Sequence, residues 1–136
     1  MANKKIDEIE GIGPAFAAQL QRIDIKTTDE LLEQGRTSNG RRDIAERTEI
    51  AEKKILQWVN MADLFRIKGV GAEYAELMEA AGVDTVKELK HRNAENLTKK
   101  MTEVNAEKKL TRQVPSTKMV VQWIDEAKIM PAGVEY

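Results

Sequence analysis

The chain has 136 residues, of which 41% are hydrophobic and 33% charged, the proportions of a folded globular protein and not of a disordered one. It has no cysteine, which excludes disulfides, thiolate metal sites and cysteine nucleophiles, and its single histidine excludes a multi-histidine metal site or a histidine-dependent triad. A net charge of -1 and a pI near 6.0 argue against a broadly basic surface, and no apolar run approaches a membrane span.

Taken in chain order, residues 1–11 lack the apolar core of a signal peptide, so the expected location is the cytoplasm, with no membrane partner. The first expected helix covers residues 3–9 and ends at Gly11, Ile12 and Gly13. A second starts at Pro14, which suits a first helical position because its missing N–H would be unpaired there anyway. Phe16, Leu20 and Ile23 fall at i, i+4 and i+7 on one apolar face. Thr27 or Thr28, followed by Asp29 and Glu30, reads as the capped start of a third helix. A further helical pair joins Arg41–Arg47 to Glu52–Asn60 around Thr48, Glu49 and Ile50. Asn60 to Arg66 has no linker composition. Met61, Ala62, Leu64 and Phe65 continue an apolar pattern, so the fifth helix is expected to run on into the second half of the chain.

That second half is a copy of the first. Ile67–Met78 lies over Ile9–Leu20, an offset of 58 (67 minus 9), and the match continues through Val83, Thr85, Glu88 and Leu89. Further on, Val120–Ile124 lies over Ile55–Val59, an offset of 65 (120 minus 55). The second copy therefore carries extra residues between about 93 and 114. Gly82 reads as a C-terminal cap, and Thr85 with Glu88 repeats the capped start. The closing pair joins 94–112 to Lys118–Lys128 around Val114, Pro115 and Ser116. No segment sustains the apolar/polar alternation of a strand. The expectation is an all-α fold of about ten short helices in two repeats, residues 1–64 and 65–136, packed as one unit.

The repeated motif is Ile-x-Gly-apolar-Gly followed by an amphipathic helix. Reversal in so few residues needs the positive φ that glycine takes without strain. Ile12 or Val70, between the glycines, would anchor the bend in the core. Free N–H groups at a helix start form an anion site, and phosphate is the usual occupant. The glycines could equally serve only to permit a tight turn between packed helices.

Charge is uneven. Between Lys87 and Lys118 there are nine Lys or Arg (87, 90, 92, 99, 100, 108, 109, 112 and 118) against four Glu (88, 95, 103 and 107). Such a run is either a nucleic-acid surface or a solvated helical face. Trp58 and Trp123 occupy equivalent places and could stack on bases; their position beside an apolar seam favours packing. His91 reads as a surface residue at a helix end. No cluster of acidic residues suggests a catalytic pair, and the chain is not read as an enzyme.

The segments 10–20, 25–34, 55–89 and 120–128 resemble the helix-hairpin-helix superfamily, with a SAM-like all-helical fold. Over nearly its whole length the chain is similar to a bacterial family of tandem helix-hairpin-helix proteins of uncharacterised function. The resemblance implies that hairpin amides hold a DNA phosphate, here those of Gly11, Gly13 and Ala15, and of Gly69, Gly71 and Glu73. It also implies a monovalent cation, K+ or Na+, at the carbonyls of Asp7, Ile9 and Ile12, and of Phe65, Ile67 and Val70. Lys68 lies inside the second hairpin and is also the nearest match to the reactive lysine of lyase members. Arg41, Arg42, Lys99, Lys100, Lys108 and Lys109 would supply positive charge.

The sequence departs from the binding pattern where Pro14-Ala15 and Ala72-Glu73 stand in place of the usual Lys or Arg, and Glu10, Glu73, Glu76 and Glu79 add repulsion. Two functions are consistent with these features. One is sequence-independent binding to a DNA or RNA backbone. The other is a protein-interaction module, binding a partner or forming a homodimer through the Trp-bearing helices or the Met61–Phe65 junction.

Overall fold

Helix starts in this chain are mostly set by one polar side chain each. The computed structural model describes residues 3–136. In chain order these form a 3₁₀ turn (Ile6–Glu8), α1 (Pro14–Gln21), α2 (Thr28–Gln34), α3 (Ser38–Thr48), α4 (Glu52–Leu64), α5 (Ala72–Ala80), α6 (Val86–Leu89), α7 (Ala94–Lys108) and α8 (Thr117–Ile129). Thr27, Thr37, Thr85, Asn93 and Ser116 stand in extended backbone just before α2, α3, α6, α7 and α8. Each accepts a hydrogen bond from the amide three residues on. Thr27 and Glu30 make a full capping box, as their spacing predicts. Three helices start without a side-chain cap: α4, and the two that come after the glycine bends, α1 and α5.

The described residues are all-helical, with eight α-helices in place of the expected ten or so. Residues 3–9 wind only as the single 3₁₀ turn. The Ile6 amide donates to Lys26 O at 3.0 Å and the Thr28 amide to Lys4 O at 2.8 Å, so this backbone is engaged in an extended bridge between Lys5 and Thr27. In the second half the corresponding residues 61–67 begin as the last turn of α4, which ends at Leu64 and does not run on into the second half, although its apolar pattern predicts that it would. The extra residues of the second half lengthen α7 to fifteen residues against eleven in α3, and lengthen the connection after it.

Helix α4 is the centre of the molecule. It packs on α2 and α3 on one side and on α5 on the other. Ile55, Trp58, Val59, Met61, Ala62, Leu64 and the adjoining Phe65 are all buried, and one continuous apolar core spans both halves. Burying this much aliphatic surface is the main driving force for the fold. At the end of α4 the buried Asp63 carboxylate accepts from Arg66 Nη1 at 2.7 Å and from the Val86 amide at 2.8 Å, tying α4 to the start of α6. The C-terminal segment 131–136 crosses back to the first half. There the Glu135 amide donates to Arg36 O, Arg41 Nη2 donates to Glu135 O, and the Tyr136 hydroxyl donates to Asn60 Oδ1.

Gly82 takes φ +96 directly after α5, as its helix-ending place predicts. The equivalent position in the first half is Asp24, forced to φ +65. A left-handed aspartate is strained where glycine is not. Asp24→Gly is therefore expected to stabilise the protein by about 0.5 kcal/mol, the relieved strain exceeding the extra chain entropy of glycine. A thermal melt that falls instead of rising would show that Asp24 carries some other interaction.

Candidate functional site

The two glycine bends have nearly the same geometry. Gly11 and Gly69 adopt φ +95 and +87, values that L side chains rarely take. Ile12 and Val70 point inward and are buried, anchoring each bend as their position between glycines predicts. A single backbone bond closes each turn, from Ile12 N–H to Ile9 O and from Val70 N–H to Ile67 O, both 3.1 Å. Gly13 and Gly71 then act as the residues before α1 and α5, their carbonyls accepting from Ala17 and Ala75 at 2.9 Å.

Among the described residues no acceptor reaches the amides of Gly11, Gly13 or Ala15, nor those of Gly69, Gly71 or Glu73. Gly11, Gly13 and Ala15 are exposed, and nothing stands within 4 Å of where a side chain at Gly13 or Gly71 would go. Such a group of outward donors at a helix start carries partial positive charge and can accept an anion. Both bends thus present donors that the fold itself leaves unused.

Behind each bend sits an aromatic pair. Phe16 lies 5.1 Å from Trp58 and Tyr74 lies 5.3 Å from Trp123, centroid to centroid. Both tryptophans are buried, so they pack in the core and offer no face for a base to stack on. Lys54 is one turn before Trp58 on α4, and its Nζ stands 5.8 Å from the Phe16 ring centroid, beside the first hairpin. Met119 occupies the corresponding place in the second half. A cation is thus carried by another helix to the first turn of α1, and the i, i+4 spacing of Lys54 and Trp58 is the signal for it.

The two hairpins differ in what else faces them. The Lys68 amide donates to the Glu126 carboxylate, at 3.2 and 3.3 Å to its two oxygens. Met61 stands at the position equivalent to Glu126 in the first half. The second hairpin therefore already carries an internal carboxylate, and Glu73 adds a further negative charge in the first turn of α5. The first hairpin is the more open of the two.

Beside the first hairpin, Glu10, Glu76, Glu79 and Lys108 line a cleft formed with Gln57 and Met61 of α4, between α4, α5 and the end of α7. Burial pushes the Glu76 carboxyl up, and the charges of Glu10, Glu79 and Glu73 push the same way. Burial also raises Glu79, with Asp84 adding to it and a 3.1 Å hydrogen bond from Gln57 opposing. A carboxyl raised in the fold is ionised at a cost at neutral pH. Its contribution to stability grows as pH falls through the raised value and levels off below the ordinary carboxyl range. Glu76→Gln is expected to stabilise the protein by about 0.5 kcal/mol at neutral pH and to flatten the gain in melting temperature seen on mild acidification. An unchanged pH profile in that variant would contradict this origin.

Most of the other basic residues expected from sequence lie in solvent. Lys68, Lys99, Lys100, Lys108 and Lys109 are exposed, and Arg42 lies 3.9 Å from Glu52 with both side chains in solvent. Arg41 does not belong to the interface. It is 4% exposed, its guanidinium donates to the carbonyls of Gly35, Arg36 and Glu135, and it lies under the Tyr136 ring. Its work is to hold the C-terminal segment. Met61–Phe65 is likewise buried, which corrects the expectation of an apolar docking patch at that junction, whereas Val121 and Ile129 on the Trp-bearing α8 are exposed.

At the first hairpin, no donor among the described residues reaches the carbonyls of Asp7 and Ile12, nor those of Phe65 and Val70 at the second; Ile9 and Ile67 each accept one turn bond. A carbonyl has two lone pairs, so each of these oxygens keeps acceptor capacity that the fold does not use. No helix among the described residues is long and apolar enough to cross a membrane.

A family model described as Domain of unknown function (DUF4332) matches residues 10–130. No curated protein and no solved structure matches the chain.

Proposed function

For a chain that belongs to the family described as Domain of unknown function (DUF4332), we propose a sequence-independent nucleic-acid-binding module of helix-hairpin-helix type. The first hairpin grips a backbone phosphate through the amides of Gly11, Gly13 and Ala15. The observation that carries this reading is that those exposed amides have no internal acceptor. Lys54 supports it by bringing a cation beside the same bend. A monovalent cation, K+ or Na+, at the carbonyls of Asp7, Ile9 and Ile12 would complete the site. The activity proposed is binding, not catalysis, in the cytoplasm.

The second hairpin contributes less, because Glu126 occupies its leading amide. This gives opposed expectations that fluorescence anisotropy on a labelled duplex can read. Lys54→Ala is expected to weaken binding about threefold, as loss of one partly exposed charge contact. Glu126→Gln is expected to strengthen it by about as much, by removing a carboxylate from the donors. Equal affinity of both variants and the unaltered chain would contradict the reading.

The acidic cleft of Glu10, Glu76 and Glu79 favours a second reading, a protein-interaction module. Its partner would be a basic protein segment or a second copy docking at that cleft. A stable complex with a cationic peptide, unaffected by hairpin substitutions, is the result that would favour it.

A further inference from the structure

We propose that the indole N–H of Trp58 is a side-chain donor in the phosphate cradle of the first hairpin, completing the set formed by the Gly11, Gly13 and Ala15 amides. This rests on the reading of that hairpin as a phosphate site. Trp58 is 2% exposed, and its Nε1 has no hydrogen-bond partner among the described residues. A buried tryptophan usually pairs its one polar atom. No unpaired side-chain nitrogen or oxygen among the described residues is sealed from solvent, so this nitrogen keeps some access to water.

It reaches water at the hairpin. A β-carbon built on Gly11 would stand 3.4 Å from Trp58 Nε1, with no other neighbour within 4 Å. The space that a side chain at residue 11 would fill is therefore open, and the indole N–H borders it. With no β-carbon in the way, an oxygen resting against the bare Gly11 α-carbon on this side can approach the indole N–H. Glycine at this position thus serves twice, once for φ and once by leaving the indole uncovered.

The same arrangement occurs independently at the second hairpin. Trp123 is 4% exposed, its Nε1 is also unpaired among the described residues, and it lies 3.5 Å from a β-carbon built on Gly69. An orphaned indole at one site could be an accident of packing. Two, each bordering the open face of a positive-φ glycine beside free amides, mark a repeated donor. A neutral donor of this kind favours a diffuse, multiply bonded anion such as a phosphodiester and adds no positive charge, which suits a chain with net charge -1.

The chain has only two tryptophans, so its two indole N–H signals are readily separated in a ¹H–¹⁵N correlation spectrum. The full chain is titrated with a short mixed-sequence DNA duplex and, separately, with inorganic phosphate. The Trp58 indole signal is expected to move saturably on the same binding curve as the Gly11 and Gly13 amides. Trp58→Phe, which keeps an aromatic ring against Phe16, is expected to weaken duplex binding about tenfold, the effect of losing one hydrogen bond to a charged group. If the glycine amides move while the indole stays fixed and Trp58→Phe binds as before, the indole proposal is overturned and the hairpin reading stands. If neither amides nor indole respond, the hairpin reading fails and takes this proposal with it. Should Trp58→Phe not fold, the titration of the unaltered chain decides alone.

Discussion

Gly11→Ala is expected to lose duplex binding by more than about tenfold and to lower stability by about 2 kcal/mol. The stability loss arises from φ +95, which alanine enters only with strain. The binding loss arises because the new methyl would occupy the open space in front of the Trp58 nitrogen, 3.4 Å away. Gly13→Ala separates the two effects. Gly13 has φ -83 and nothing within 4 Å of its side-chain position, so alanine fits without strain. Its poorer capping is offset by reduced freedom of the unfolded chain, and stability should change by less than about 0.5 kcal/mol. Yet the methyl projects into the open space through which a ligand would reach these amides, and binding should fall about fivefold. A Gly13→Ala protein that melts normally and binds normally would mean that the amides are not where the ligand sits.

The second large effect is structural. Asp63→Ala is expected to cost about 3 kcal/mol, measured as a shift in the urea midpoint. The carboxylate is 1% exposed and joins α4 to Arg66 and to the Val86 amide through bonds of 2.7 and 2.8 Å. Truncation leaves the Arg66 guanidinium, itself largely covered, without its charge partner, and leaves a buried amide unpaired. Arg66 also donates to Pro131 O, so the C-terminal segment should loosen as well. Asp63→Asn keeps one acceptor and should cost distinctly less. A loss below about 1 kcal/mol for Asp63→Ala would show that the junction between the halves does not depend on this contact.

Local chemistry makes much of this fold legible in the sequence. Thr27 and Thr85 are caps because their hydroxyls compete for the first free amides of a helix, a rule that needs only neighbouring residues. Pro14, Gly11 and Gly82 behave as their backbone constraints require. The apolar run through Met61 and Phe65 reads as a helix entering the second half, but α4 stops at Leu64, where the repeat boundary falls. Pairings between distant segments are not legible in this way. The short turn at Ile6–Glu8 depends on backbone partners near Lys26 and Thr28, and without them residues 3–9 read as an ordinary helix.

The same reason explains the misplaced site residues. Arg41 looks like a surface cation until Glu135 and Tyr136 fold over it from the far end of the chain. Glu126 is unremarkable in its own helix and matters only because α8 carries it to the Lys68 amide. Lys54 is one lysine among many until α4 sets it beside Phe16. The packing of Trp58 can be read from its place on an apolar seam, but the direction of its one polar atom is a property of the assembled hairpin and helix. Glycine spacing discloses the donors. Their neighbours come only with the fold.

A salt titration of duplex binding, monitored by anisotropy with the unaltered full chain, tests the hairpin site most directly. Weak binding is expected, with little dependence on base sequence. Its affinity should fall with salt along a log–log slope of about -2, as for a small footprint of one or two phosphates. Absence of binding at the lowest salt, or binding with no salt dependence, would contradict a phosphate held at the Gly11–Ala15 bend.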